Sequence, residues 1–358
     1  MTQEQIYHNI AQRTGGDIYL GVVGPVRSGK STFIKRFAEL MLLPRIKNEA
    51  RRARAHDELP QSAAGRTIMT TEPKFIPEKA VKIDLSGGGS FKARLIDCVG
   101  YMVDGALGHE ENEAPRLVKS PWFDHEVPFD LAAETGTRCV IREHATVGLV
   151  VTTDGSVADL PRDAYLDAER RIIAELNDIG KPYVILLNCA EPESDDAHRL
   201  ATELAERYAH AVVPLNCTTM TVETLDSLLQ TLLYEFPIRE IAVRMPGWVT
   251  MLESGHWLQS AIYTAMLEFA ASVHKMADLA GRRPQLGCEY ITSASLTGMD
   301  LASGSVGINA VVAPDIFYKI LGEQTGLDIV DEASLLPCVV SLARAKRAYD
   351  KIKSALDQ

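Results

Sequence analysis

The 358-residue chain has few of the features that mark secreted, membrane-spanning or nucleic-acid-binding proteins. It has no run of about 20 apolar residues, and its first residues, MTQEQIYHNIAQ, have neither the basic start nor the apolar stretch of a signal peptide. Its six cysteines include no C-x-x-C pair, which fits neither a disulfide framework nor a zinc site. The formal charge of −11 argues against broad nucleic-acid binding. We therefore expect a folded cytoplasmic protein with no nucleic-acid partner.

The apolar pattern predicts two domains. Between residues 17 and 237 strands alternate with helices, beginning with an unbroken apolar run over 18–23 that is typical of a parallel strand covered on both faces. The predicted fold class is α/β, a doubly wound sheet of the P-loop nucleoside triphosphatase type, over residues 1–237. From residue 238, long helical stretches flank two alternating segments, so we predict a smaller α+β domain over 238–358.

The predicted elements of the first domain are placed by apolar periodicity and by breakers such as Pro44 and Gly180. Strands are predicted over 18–23, 81–85, 91–96, 147–152, 183–187 and 212–215, and helices over 30–43, 172–179, 195–209 and 222–234. A last helix, with apolar residues from Leu342 to Leu356, is predicted to pack on its own domain. Because it meets no cap or breaker before Gln358, we expect the natural protein to continue further.

A phosphate-binding loop is predicted between the first strand and the first helix of this pattern. Residues 24–31, GPVRSGKS, match G-x-x-x-x-G-K-[ST], in which backbone amides surround phosphate oxygens. Lys30 is expected to reach the β- and γ-phosphates of ATP, and Ser31 to bind Mg²⁺. The candidate nucleotide-binding residues of this segment are Gly24, Pro25, Val26, Arg27, Ser28, Gly29, Lys30, Ser31 and Thr32.

A second motif, D-x-x-G, follows the strand predicted over 91–96. Asp97 supplies the carboxylate that a Mg²⁺ phosphate site needs, and the amide of Gly100 is expected to contact the γ-phosphate, as in GTPase-type P-loop proteins. Between the two motifs lies the polar segment GRTIMTTEP, in which Thr70 and Thr71 are candidates for sensing the γ-phosphate, with Thr71 also as a metal ligand. The alternative is that these threonines belong to an exposed strand edge.

The base-reading and water-orienting elements depart from those of GTPases. Asn188 begins the sequence N-C-A-E in place of N-K-x-D, so adenine becomes the expected base, with Asn188 kept as a binding residue. Tyr101 stands after Gly100, where many GTPases have a glutamine that orients water. Val26 crowds the place where a partner's arginine would enter, and Arg27 could contribute charge from within the chain. Slow intrinsic turnover is expected.

Several longer segments resemble the stage IV sporulation protein A family of spore-forming bacteria. They are GGDIYLGVVGPVRSGKSTFIKRF, NEARRARAHDELPQSAAGRTIMTTEPKF and LIDCVGYMVDGA, followed by SPWFDHEVPF, GLVVTTDGS, LYEFPI and GHWLQS. The resemblance implies an ATPase related to translation-factor GTPases, with Lys30 as the phosphate lysine, Asp97 as the Walker B aspartate and Thr70 and Thr71 as sensor threonines. The match covers the predicted nucleotide domain and reaches into the second domain.

The resemblance also implies a biological role. ATP hydrolysis would drive self-assembly into the basement layer of the spore coat, in the mother-cell cytoplasm at the outer surface of the forespore. Implied partners are further copies of the chain, spore coat proteins and a small amphipathic membrane-anchoring peptide, with only peripheral membrane contact. Family members carry a C-terminal domain used in polymerisation, and we expect this chain to lack it.

Two other functions stay open on the sequence. The D-x-x-G loop favours a GTPase assembly factor, against which the altered N-C-A-E element argues. The other function is that of a structural protein that binds nucleotide without turnover. It stays open because the position after Gly100 has no glutamine to orient water. The basic stretch at Arg51, Arg52 and Arg54 is interpreted as a solvated helix face because acidic residues flank it.

Overall fold

The computed structural model divides into two compact units. It describes residues 1–60, 73–84, 90–103, 110–111, 114–157 and 160–356. The first unit comprises Met1–Pro237, Lys275–Ala277 and Asp300–Gly304, and the second comprises Ile238–His274, Asp278–Met299 and Ser305–Gln358.

The first unit has a six-stranded sheet, two short strand pairs and seven helices among its described residues. The strands are β1 (Asp17–Val23), β2 (Lys74–Asp84), β3 (Ser90–Asp97), β4 (Glu110–Glu111), β5 (Ala114–Pro115), β6 (Leu117–Val118), β7 (Val127–Pro128), β8 (Val147–Thr153), β9 (Tyr183–Asn188) and β10 (Val212–Leu215). The helices are α1 (Gln3–Arg13), α2 (Lys30–Phe37), α3 (Glu49–Asp57), α4 (Phe129–Glu143), α5 (Leu166–Ile179), α6 (Asp195–Tyr208) and α7 (Val222–Glu235).

The strand order of the large sheet, β10-β9-β8-β1-β3-β2, confirms the doubly wound prediction. All neighbours are parallel except the edge pair β2 and β3. The chain leaves β1 toward β3 on one side and toward β8 on the other, so the order reverses at β1. In sheets of this kind, ligands bind beyond the carboxyl ends of the strands at the point of reversal.

Helices cover both faces of this sheet. Strands alternate their side chains between two faces, and Val23 of β1 belongs to a buried cluster with Ile172 and Leu176 of α5. On the other face, Leu20 lines a small cavity together with Leu229 of α7 and other residues of α1 and α2. Every residue of β8 and β9 is buried, as is typical of parallel strands that are covered on both faces.

Most of the predicted elements are confirmed, with differences at their ends. The helix predicted over 30–43 is α2 followed by a π-helical turn, Ala38–Leu42, and a 3-10 turn, Leu43–Arg45. Strand β2 begins at Lys74, seven residues before the predicted start at Val81, because it pairs with β3 across an irregular register between Ile76 and Val81. Helix α5 ends as predicted at Gly180, whose φ of 70° is in the left-handed region.

The second unit is α+β, as predicted. Its strands are β11 (Glu240–Arg244), β12 (Ile291–Asp300, whose last residue belongs to the first unit) and β13 (Ser305–Val312), in the order β11-β13-β12, with β11 parallel to β13. Its helices are α8 (Gly247–Thr250), α9 (Trp257–Ser272), α10 (Pro314–Thr325) and α11 (Glu332–Leu356). Its core joins α8, α9 and α10 to β13 through Val249, Leu258, Ile262, Val312, Ile316 and Ile320.

Helix α11 differs from its prediction. Leu342, Tyr349 and Ile352 are 51%, 64% and 60% exposed, so the apolar face that was predicted to pack on its own domain is open in the described part of the chain. None of the described helices is both long and apolar enough to cross a membrane.

Candidate nucleotide site

The loop between β1 and α2 has the backbone that the sequence motif predicts. Gly29 has a φ of 102°, and a Cβ atom there would lie 2.2 Å from the side-chain nitrogen of Asn188, so this position requires glycine. Helix α2 begins at Lys30. The amides of its first turn have no carbonyl partner within the helix and carry partial positive charge. The loop and helix together therefore present several donors at the carboxyl edge of the sheet.

Arg27 is an exception within this loop. Its φ of 66° is left-handed, a conformation that costs a residue with a side chain about 1–2 kcal/mol relative to glycine. The side chain is half-buried and lines the cavity described below.

Lys30 is held inside the loop by two carbonyl groups. Its ammonium donates to the carbonyl oxygens of Pro25 at 2.7 Å and Gly24 at 3.1 Å, and the residue is 7% exposed. Burial lowers the pKa of Lys30 to about 8, against the attraction of Asp97, which acts to raise it. An isolated buried ammonium is unfavourable, so a bound anion would stabilise the charged form of Lys30.

Asp97 lies at the end of β3, in register with Val22 near the end of β1. This pairing brings the D-x-x-G loop beside the phosphate-binding loop. Burial raises the pKa of Asp97 to about 6, while Lys30 and Lys74 act to lower it. A bound cation would stabilise the carboxylate form in the same way.

The loop after β3 is bonded directly to the phosphate-binding loop. The amide of Val26 donates to the carbonyl of Tyr101 at 2.8 Å, and the amide of Tyr101 donates to the carbonyl of Gly24 at 3.1 Å. A Cβ atom at Gly100 would lie 2.5 Å from the ammonium nitrogen of Lys30 and 2.8 Å from the amide nitrogen of Val26. Gly100 is therefore required by the closeness of the two loops.

These groups surround a cavity of about 850 Å³. Of the predicted site residues, its described lining includes Val26, Arg27, Lys30, Ser31, Asp97 and Gly100. Gly24, Pro25, Ser28, Gly29, Thr32 and Asn188 are not part of that lining. The sequence did not predict that α3, its C-cap residue and β2 would contribute to the lining. The residues concerned are Arg54, Asp57, Glu58, Lys74, Phe75, Ile76 and Glu78. Arg54 is bonded there to Glu58 at 3.3 Å and Glu78 at 3.1 Å.

Thr70 and Thr71 lie outside the described residues. Pro60, the last described residue before them, and Lys74, the second described residue after them, both line the cavity. The role of the two threonines stays a prediction.

Asn188, at the end of β9, bonds to protein groups with both ends of its amide. Its nitrogen donates to the carbonyl of Ser28 at 3.0 Å, and its oxygen accepts from the amide of Cys217 at 3.1 Å. The residue is only 5% exposed. Asn188 therefore ties the phosphate-binding loop to the segment after β10, a role that the sequence could not show because the bonded residues are distant along the chain.

Replacing Asn188 by Ala is expected to weaken ATP and GTP binding by the same factor, about tenfold, because the lost bonds hold the loop and not the base. Titration with fluorescent analogues of both nucleotides measures this. Asn177→Ala serves as the control, since Asn177 bonds to Tyr183 at the end of α5 and should leave both affinities unchanged. A loss confined to one nucleotide would instead assign Asn188 to the base.

Tyr101 directs its hydroxyl away from the cavity. The hydroxyl donates to Glu175 of α5, which also accepts from Arg138 of α4 at 2.6 Å. Burial, together with the bond to Glu175, raises the pKa of Tyr101 well above its usual value. The residue after Gly100 thus connects the D-x-x-G loop to two helices and offers no polar side chain to the cavity.

Tyr101→Phe is therefore expected to keep ATP hydrolysis within about threefold of the wild-type rate. It should lower the free energy of unfolding by about 1 kcal/mol, because the bond to Glu175 is lost while the ring stays buried. Phosphate release and denaturant unfolding check the two expectations. A variant with unchanged stability but a hundredfold lower rate would show that the hydroxyl acts on the reacting phosphate.

Among the described residues, no group of three or more His, Cys, Asp or Glu side chains could hold a metal ion. A divalent cation at this site would take its protein ligands from one or two oxygen groups, as Mg²⁺ does when phosphates supply the rest.

The glycine-bearing loop between β1 and α2, the neighbouring D-x-x-G loop and their shared cavity define a P-loop nucleoside triphosphatase. A sequence model described as "Stage IV sporulation protein A, ATPase domain" matches residues 1–237, and one for the middle domain matches residues 238–358. The chain belongs to the stage IV sporulation protein A family, and residues 1–237 are its ATPase domain. The predicted family is confirmed.

Three similar proteins carry the name stage IV sporulation protein A. That of Bacillus subtilis is 45% identical over 358 residues, covering 99% of this chain and 73% of the relative. That of Bacillus anthracis is 43% identical over the same shares of the two chains, and that of Clostridioides difficile is 42% identical over 98% and 72%. This chain is therefore a sporulation protein.

Solved structures resemble the chain only distantly. Translation elongation factor SelB from Methanococcus maripaludis is 13% identical with a TM-score of 0.33, covering 60% of this chain and 33% of its own. The FeoB G-domain from Methanococcus jannaschii is 15% identical with a TM-score of 0.30, covering 60% and 97%. Likeness at this level supports no argument about the site.

Proposed function

We propose that this protein is an ATP-hydrolysing scaffold whose ATP hydrolysis drives its self-assembly into the basement layer of the spore coat. One observation carries the catalytic part: Lys30 and Asp97, each with a pKa shifted by burial, line one cavity at the carboxyl edge of the sheet. Membership of the sporulation family supports the morphogenetic part.

The chain's own groups fit the phosphates of ATP. Lys30 and the first amides of α2 would bind the β- and γ-phosphates, and the amide of Gly100 would contact the γ-phosphate. The burial of Lys30 favours this binding, because its ammonium has few water contacts and the negative charge of a phosphate compensates its positive charge.

Mg²⁺ fits the donor set of the cavity. Ser31 and Asp97 line it together and offer the hard oxygen ligands that this ion binds. When bound, Mg²⁺ would neutralise charge on the phosphate oxygens. Thr71 is proposed as a further ligand, and Thr70 with it as a sensor of the γ-phosphate.

Adenine is the proposed base. Cys189 is fully buried and bonded through its amide to Leu215, so it offers no flexible chain to a base in the way a lysine would. Glu191 is exposed and stands where the guanine-binding motif has an aspartate that is one methylene shorter. The features that favour guanine are therefore absent at these two positions.

The proposed partners follow from the family. They are further copies of the chain, spore coat proteins and a small amphipathic membrane-anchoring peptide, with peripheral membrane contact and no nucleic acid. The proposed location is the mother-cell cytoplasm at the outer surface of the forespore.

Two measurements on the purified protein at its natural length test the proposal. The first is phosphate release from ATP and from GTP, and the second is electron microscopy with and without ATP. Release should be faster from ATP, and filaments should form with ATP but not with Asp97→Ala protein. Faster release from GTP would indicate a GTPase assembly factor. ATP binding without phosphate release in a single-turnover assay would indicate a structural nucleotide-binding protein.

A further inference from the structure

We propose that Arg27 supplies, from within the phosphate-binding loop, the positive charge that stabilises the γ-phosphoryl group during its transfer to water. The inference rests on the proposed ATP hydrolysis and names a residue that acts in the reaction beyond binding the substrate.

The backbone of Arg27 is the first observation. Among the described residues, the only non-glycine residues with positive φ are Arg27 and Ala209. Ala209 caps the end of α6, where the left-handed conformation terminates a helix. Arg27 lies inside a loop where glycine would adopt the same conformation without strain. Strained backbone of this kind is found at functional sites, which directs attention to what the side chain does.

The position of Arg27 is the second observation. It lines the same cavity as Lys30, Asp97 and Gly100 and precedes Lys30 by three residues. It is half-buried, so its guanidinium has less competition from water than a fully exposed one. Because Arg27 is part of the loop that would surround the phosphates, no second protein is needed to supply an arginine.

The described lining has three other cationic side chains, Lys30, Arg54 and Lys74, of which Arg54 lies on α3 and Lys74 on β2. The ammonium of Lys30 bonds to two loop carbonyls, and the guanidinium of Arg54 bonds to Glu58 and Glu78. The two carboxylates already compensate the charge of Arg54. Arg27 is the guanidinium on the loop itself, and this placement selects it over Arg54.

The reaction needs such a group at this site. The oxygen of water bonds to the γ-phosphorus as the bond from that phosphorus to the β–γ bridging oxygen breaks. The products are ADP and inorganic phosphate, and the water proton passes to phosphate or solvent. Charge builds on the bridging and equatorial oxygens, and an arginine supplied within the chain stabilises it. The side chain of Tyr101 cannot contribute, because its hydroxyl is bonded to Glu175.

Arg27→Gly separates the side chain from the backbone, because glycine keeps the left-handed conformation at no cost. The rate of phosphate release in a single turnover should fall by at least about 10²-fold. Affinity for a fluorescent ATP analogue should stay within about threefold, as expected for a group that acts mainly in the transition state. The thermal midpoint should be unchanged or higher.

Two further variants complete the comparison. Arg27→Lys keeps the charge but loses the planar fork, so its rate should lie between those of the wild type and Arg27→Gly. Arg199→Ala removes an arginine that is 78% exposed and paired with Asp196 on α6, and its rate should match the wild type.

A second measurement does not depend on turnover. Wild-type protein should bind ADP with aluminium fluoride, which mimics the transferring phosphoryl group, more tightly than ADP alone, and Arg27→Gly should lose this gain. Rates within threefold of wild type in Arg27→Gly, or a matching loss of ATP affinity, would overturn the proposal. If wild-type protein bound ATP without hydrolysing it, the proposed function would fail separately. In that case, equal aluminium fluoride complexes of both proteins would still overturn the role of Arg27.

Discussion

Replacing Lys30 by Ala is expected to lower ATP hydrolysis by at least about 10²-fold, because one charge-stabilising donor at the reacting phosphate is removed. Lys30 lines the cavity, and its ammonium donates to the carbonyls of Gly24 and Pro25. No other lysine of the described chain belongs to this loop. Phosphate release at saturating ATP measures the effect.

Lys92→Ala is the matched control for this variant. Lys92 lies on β3, the strand that carries Asp97, but its side chain is 60% exposed and its partner is Asp17 at 3.9 Å. Hydrolysis by Lys92→Ala should equal that of the wild type. Undiminished hydrolysis by Lys30→Ala, with a folded protein, would mean that the assigned cavity is not the site of the reaction.

The sequence predicts the strands and the loop motif because both depend on local patterns. The run over 147–152 is unbroken and apolar, and in β8 every residue is buried. Asp97 follows the strand predicted over 91–96, where polar Lys92 and Arg94 alternate with apolar residues. Parallel pairing of this strand in register with β1 places Asp97 beside the phosphate-binding loop. Local sequence patterns are enough to predict a site residue when the motif that contains it directly follows a strand with a clear apolar pattern.

The contacts that complete the candidate site depend on tertiary structure. The amide of Asn188 bonds to Ser28, and the hydroxyl of Tyr101 bonds to Glu175, each far away along the chain. No periodicity or spacing encodes such pairs. Helix α4 was missed for a related reason: its sequence contains Gly136, which weakens a helix prediction, yet a Cβ atom there would lie 2.6 Å from the ring of Trp122.

Helix α1 is a different kind of miss, since its sequence contained a usable signal. Thr2 accepts a hydrogen bond from the amide of Gln5, and the Gln5 side chain accepts one from the amide of Thr2. This reciprocal pair is a capping box, and it precedes Ile6, Tyr7 and Ile10, which are all buried. The T-x-x-Q spacing before an apolar set would have placed the helix.

Replacing Gly100 by Ala is expected to reduce ATP hydrolysis by about 10²-fold, because displacement of a reacting group by about 1 Å has an effect of this size. The added Cβ would lie 2.8 and 2.9 Å from the backbone nitrogen and Cα of Val26. The Lys30 ammonium, 2.5 Å away, ends a flexible chain and can shift, but the backbone of Val26 cannot shift without moving the loop. ATP affinity should fall as well, since both loops contact the phosphates.

The same variant should destabilise the protein by about 1–3 kcal/mol, the usual effect of overpacking. Phosphate release, nucleotide titration and thermal unfolding, measured on one preparation, separate a displaced loop from a lost fold. Gly247→Ala is the control, because a Cβ atom at Gly247 meets nothing within 4 Å. Wild-type hydrolysis and affinity in Gly100→Ala would show that ATP binding does not require the close contact between the two loops.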